Sequence, residues 1–366
     1  MPIHFTSERW AAVRANYCRW WAGELGRPLF FLTSNDADPG RPEPDLPNEG
    51  FTAFHSLDVP AQAIVDRWDW NLSRNRYLAD AFPAVWPNFG PGVLAAMIGG
   101  RLHATPKSET VWFEPQAQQE IAEIDFAWDP DNVWVRRIVD IERAAMERWE
   151  GLVQVAMTDL GGNLDVLSTF RPGKQLLCDL VDHPDEVKRL TWREHEMWWR
   201  AFDHLDSFLR PTNPGYTAWT PIYSESPYYM LQCDFCYMIS PDMFDEFVKP
   251  ELAASCRRLG NPFYHLDGPG ELPHLDSLLS IPELKGIQWV PGAGQPDIDH
   301  WPGVYERIIA AGKLAQIWHG RAEDGRWFVD VLAERVGSAD GFIVFGSVGR
   351  DDEPEVMQML ERYGAA

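Results

Sequence analysis

"NPFYHLDGPGELPHLDSLLSIPELKGIQWV", residues 261–290, holds two short apolar runs, NPFYHL and GIQWV, separated by a segment long enough for a helix. Neither run alternates strictly between apolar and polar residues, so both read as strands buried on two faces. Strands of that kind, each followed by a helix, build a parallel sheet covered by helices. The first run ends in His265-x-Asp267, a polar pair that contributes nothing to an apolar core, and a Gly-Pro-Gly turn follows directly.

The same pattern extends in both directions. LFFLTS (29–34), FPAVWPN (82–88), LVQVAM (152–157) and YTAWTPI (216–222) precede it, and LAQIWH (314–319) and GFIVF (341–345) follow. Helical stretches lie between, among them PDEVKRLTWREHEMWWRAFDHLDSFL and SPDMFDEFVKPELAASCRRLG. The second opens with Ser240 as N-cap and Pro241 at the first helical position. Eight strands with helical connections predict an α/β chain closed into a (β/α)8 barrel, the TIM-barrel architecture. No repeat or linker divides the chain, so one domain over 1–366 is expected. TSERWAAVRANYCRWWAGEL (6–25) carries Trp10, Val13, Tyr17, Trp20 and Trp21 at three- and four-residue spacing. Residues 1–28 are therefore expected to form a helical segment packed on the barrel.

Composition narrows the function. The 366 residues are 45% hydrophobic and 24% charged, an ordinary globular balance. Net charge is -23, from 55 acidic and 32 basic residues, and that field repels nucleic acid and anionic lipid. No run reaches the ~18 apolar residues of a membrane span. Five cysteines are too few for a disulfide framework, and the N-terminus has no signal-peptide core, so a reducing cytoplasm is the expectation. The 18 tryptophans suit either a large aromatic core or an aromatic-walled pocket.

Barrels of this type carry their active site at the C-terminal strand ends. The polar residues expected there are Ser34, Asn35, Asn88, Thr158, Asp159, Tyr223, Glu225, His265, Asp267, Gln288 and Trp289 (on their strand), His319 and Ser347. Asp234, between Cys233 and Cys236, is a candidate acid at the mouth; the Cys-x-x-Cys pair reads as ordinary thiols or as a zinc or redox pair. His265 and Asp267 need a third ligand to hold a metal, and Glu225, Cys233 or Asp234 can supply it. Without a metal, His265 and an aspartate would donate and accept protons. The structural alternative has His265 donating to backbone and Asp267 capping the turn.

At this point the residues resemble a known family. SPDMFDEFVKPEL (240–252), FYHLDGPGELPHLDSLLSIPELKGIQWV (263–290), QIWHG (316–320) and the ending MLERYG (359–364) resemble the uroporphyrinogen decarboxylase-like superfamily. That superfamily includes the decarboxylase and zinc-dependent methyltransferases serving corrinoid proteins and coenzyme M, and the resemblance implies a (β/α)8 barrel. Asp80 is similar to the family's essential aspartate near the second strand. The arginine-rich loop that holds porphyrinogen carboxylates is replaced by TSNDADPGRPEP (33–44), which argues against that substrate. The methyltransferases carry His-x-Cys where this chain has His265-x-Asp267, and GFIVFGSVG supplies no later cysteine.

Three enzyme classes stand open on this basis. The first is methyl transfer from a small methylated polar or aromatic compound to a thiol or a corrinoid protein. Zinc or another divalent ion on His265, Asp267 and Glu225 would assist, with Asp80, Asp234 and Trp289 shaping the pocket. The second is a metal-free decarboxylase or lyase using Asp80 and His265. The third is glycoside hydrolysis by Glu225 or Asp234 with Asp267, which needs carboxyl separations near ~5 Å or roughly 6.5–9.5 Å. A barrel that only binds is a fourth, non-enzymatic class. A small molecule, a corrinoid protein and a second copy of the chain are the expected partners.

Overall fold

The computed structural model describes residues 3–366 except 106 and 108. Eleven strands are present among them: β1 Leu29–Ser34, β2 Arg76–Ala79, β3 Ala84–Val85, β4 Arg101–Thr105, β5 Thr110–Glu114, β6 Gln154–Val155, β7 Tyr228–Leu231, β8 Asn261–Asp267, β9 Gly286–Val290, β10 Leu314–Trp318 and β11 Phe342–Ser347. One seven-stranded sheet runs in the order β2-β1-β11-β10-β9-β8-β7; all neighbours in it are parallel except β2, which lies antiparallel on β1. β3 and β6 form a separate parallel pair, and β4 and β5 form a hairpin. The class is α/β with a mostly parallel central sheet. Seven of the eight expected strands reappear as parallel ones and β7 takes the place of the other, but no ladder joins the β3–β6 pair to the large sheet among the described residues.

The fourth expected strand is a correction. Residues 216–222 form no strand; Tyr216 only bridges Ser224, and the strand of this position is YYML, β7. Pro214 and Pro221 lack the N–H groups a ladder requires. Side chains replace them: Asn213 donates to Val155 O at 2.7 Å and accepts from Val155 N, and Gln154 exchanges two bonds with Gly215. β2 and the β4–β5 hairpin are further additions to the expected set. The hairpin brings Phe113 over the cleft near the start of the 163–170 helix.

Helices cover the sheet where the pattern placed them. Pro184–Leu209 coincides with the long expected helix, and Ser240 Oγ accepts from Met243 N at 3.2 Å to start Pro241–Phe247. Helices 241–247 with 249–258, then 275–279, 302–310 and 328–336, link β7 through β11 in turn.

The N-terminal helix Ser7–Trp21 is capped by Thr6, whose Oγ1 accepts from Arg9 N. It buries Trp10, Val13, Tyr17 and Trp20 against the N-terminal strand ends. Trp20 stacks on Phe263 of β8, Trp21 meets the same ring edge-on, and Trp10 Nε1 donates to Leu152 O just before β6. These aromatic groups fill the N-terminal end, so the open polar end is the opposite one.

Candidate active site

Two strand ends and one turn meet at the C-terminal side. His265 and Asp267 sit two apart on β8 and therefore face the same way. Asp234 begins the 3-10 turn Asp234–Met238 that follows β7. One potential ligand atom from each of Asp234, His265 and Asp267 lies within 4.8 Å of the other two.

Neighbouring groups fix this arrangement. Asp165, in the first turn of the Asn163–Phe170 helix, accepts from Asp234 N at 2.9 Å and Phe235 N at 2.7 Å, which pins the turn. His265 Nδ1 lies 2.5 Å from Gln288 Oε1 on β9. The carbonyl can only accept, so that nitrogen carries a proton, and in the neutral imidazole the lone pair is then on Nε2. Trp219 meets the His265 ring edge-on at 5.1 Å. Register places Gln316 of β10 beside Gln288; Gln288 Nε2 and both amide atoms of Gln316 are buried without a partner. Such groups are costly unless a ligand or water satisfies them.

The electrostatics are strongly one-sided. Burial raises the pKa of Asp234 and the Asp267 charge raises it further, while His265 lowers it. Burial, then the Asp234 charge, pushes the Asp165 carboxyl up. Glu271 is fully buried with both oxygens unpartnered, and burial with the Asp234 and Asp165 charges takes it to about 10. Asp159, after β6, accepts from Gly161 N and Tyr229 OH, and burial takes it to about 6. Among the described residues no lysine or arginine forms an ion pair with any of these five acids. Crowded carboxylates without a counter-charge favour a cation or shared protons.

The other expected site residues fall elsewhere. Glu225 precedes β7 and interacts with Cys18 and Tyr223 at the N-terminal end, so it stands apart from His265 and Asp267. Tyr223 is buried there among Trp10, Tyr17 and Phe82, its hydroxyl donating to Pro214 O. Asp80 is fully buried at the start of β1. Arg27 grips it with two bonds of 2.7 and 2.9 Å, and Asn16 Nδ2 and Phe30 N also donate to it. Trp289 neighbours Gln288 on β9 and so turns to the opposite face, against Trp301. Asn88 sits beyond β3, but its side chain bonds Gly50 O and Gly90 N. His319 ends β10, stacked on Trp327, with burial and Arg321 lowering its pKa to about 4. The Gly90-Pro91-Gly92 segment is a tight turn on Gly161, where an added Cβ would lie 2.5 Å from Gly92 Cα. Cys233 and Cys236 are buried and free.

Asp165, Glu271 and Gln316 were not among the expected site residues. Gln288 was expected on its strand, and it is the cross-strand partner of His265; the period-two signal in LAQIW could have found Gln316, which pairs with Gln288.

No family model matches the chain, and no curated protein matches it. A solved structure, a methyltransferase from Methanosarcina mazei, is similar to it with a TM-score of 0.61, covering 92% of this chain and 93% of that one at 12% identity. At that identity the likeness is one of fold. No helix among the described residues is long and apolar enough to cross a membrane.

Proposed function

We propose that the chain is a metal-assisted methyltransferase of the uroporphyrinogen decarboxylase-like superfamily, a single (β/α)8 barrel over residues 1–366. It would move a methyl group from a small methylated compound to a thiol or a corrinoid protein. The observation that carries this reading is the Asp234–His265–Asp267 group, with the His265 Nε2 lone pair left free by Gln288. Asp234 takes the place expected of Glu225. The neighbour described as a methyltransferase supports the same reading at the level of fold.

One imidazole nitrogen and two carboxylate oxygens suit a divalent ion harder than a thiolate site would select. Such an ion would lower the proton affinity of a bound acceptor or draw charge from the donor heteroatom. The chain's own contributions are positional. Gln288 sets the His265 tautomer, Asp165 holds the Asp234 turn, and Trp219 covers the imidazole. In the transfer the acceptor nucleophile bonds the methyl carbon, and the donor heteroatom keeps the bonding pair and takes up a proton.

A metal-free lyase loses its proposed pair, since Asp80 lies at the other end and is held by Arg27. For a glycosidase, Glu225 is equally remote. Asp234 and Asp267 approach within 4.8 Å with a histidine beside them, which favours a shared cation.

Elemental analysis of the purified protein tests the proposal. About one divalent ion per chain is expected, with its loss in His265→Ala accompanied by at least a hundredfold fall in methyl transfer. Metal-free protein with full activity in chelator would overturn it.

A further inference from the structure

A cavity of about 180 Å³ lies in the seam between the β3–β6 pair and the large sheet. Its aromatic walls are Phe31, Tyr77, Phe82, Trp86 and Trp219, and no charged side chain lines it. Trp219 belongs to both places: it meets His265 in an edge-to-face contact at 5.1 Å, and its ring lies 6.4 Å from that of Trp86, tilted by 41°. The cavity therefore adjoins the candidate metal ligands through a single side chain.

Two features define what fits. Ligand pockets for drug-sized molecules run ≈ 300–1,000 Å³, so this smaller space suits a molecule of about one ring. The indole N–H groups of Trp86 and Trp219 are both buried with no acceptor in the protein. A buried donor without a partner is costly, and a ligand oxygen can relieve that cost. A methylated ammonium would favour the aromatic faces but would leave both donors unpaired, and no carboxylate lines the space to neutralise it.

We infer that this seam binds an uncharged, flat, single-ring compound carrying an acceptor oxygen, and that Trp86 and Trp219 select it. The inference rests on the proposed function only for where the ligand's reacting group points, because occupancy of the cavity needs neither metal nor turnover.

Calorimetric titration of the metal-stripped, full-length protein separates the two. Methoxybenzene is expected to bind about tenfold more tightly than benzene, through the oxygen's bond to an indole N–H, and tetramethylammonium should bind more weakly than either. Trp219→Phe keeps an aromatic wall but removes a donor, so it should erase about a tenfold preference for methoxybenzene while benzene binding persists. Trp86→Phe is the second variant should Trp219→Phe fail to fold, as judged by circular dichroism. Equal binding of methoxybenzene and benzene, tightest binding of tetramethylammonium, or no binding of any probe would overturn the inference. Binding of methoxybenzene by a protein that lacks a metal and transfers no methyl group would uphold it while sinking the proposed function.

Discussion

Were His265 to hold the proposed metal, a residue on the next strand would prepare it. Gln288 Oε1 accepts a hydrogen bond from Nδ1, which leaves Nε2 as the nitrogen available to a metal shared with Asp234 and Asp267. Partners of this kind are worth roughly 10–100-fold in metal affinity. Gln288→Leu is expected to weaken metal binding by that factor in competition with a chromophoric chelator, with the fold retained; unchanged affinity would remove Gln288 from the site. The polar pair that ends NPFYHLD was legible because neither residue belongs in a core. Its partners were harder to read, since Asp165 and Asp234 are brought together by a helix N-terminal turn meeting a strand end 69 residues away. Linear spacing carries no trace of that meeting.

At the scale of elements, Asp80 works as a clamp. It ties the N-terminal helix through Asn16, the following turn through Arg27, and β1 through Phe30 N. Removing one partner of a largely buried pair strands the other charge, at roughly 3–5 kcal/mol. Asp80→Ala should therefore lower the urea midpoint by an amount equivalent to that, with kcat of the folded fraction unchanged. A selective loss of kcat would return Asp80 to the chemistry. β1 and β8 to β11 were legible as short, mostly apolar runs bounded by turn residues. β7 was not, because YTAWTPI looks more strand-like than YYML until Pro214 and Pro221 are counted as missing donors. That displacement also explains Tyr223 and Glu225: placed after a strand, they were expected at its C-terminal end, whereas both precede β7 and lie at the N-terminal one.

Across the whole molecule, several carboxyl groups are buried away from any cation. Glu142, inside the helix Val133–Trp149, is the cleanest case: burial, then the Asp206 charge, raises its pKa well above the ordinary value, and neither oxygen has a partner. An unfolded glutamate loses its proton near ~4.3. The folded one holds on, so the stability this group contributes is full below ~4.3 and drains as pH rises toward the folded value. Glu142→Gln removes that drain. Its thermal midpoint should exceed the parent's by more at pH 8 than at pH 5; an equal difference at both would show that Glu142 is not the group responsible. The aromatic packing of Trp20, Trp21 and Phe263 has a consequence of another kind. A vessel corked at one end has one doorway, and a bulky acceptor protein seated there blocks traffic of the small donor. Direct transfer needs both present together, so the donor must enter before the acceptor seats: initial rates should give intersecting double-reciprocal lines with the acceptor adding second, and parallel lines would mean a methylated enzyme intermediate.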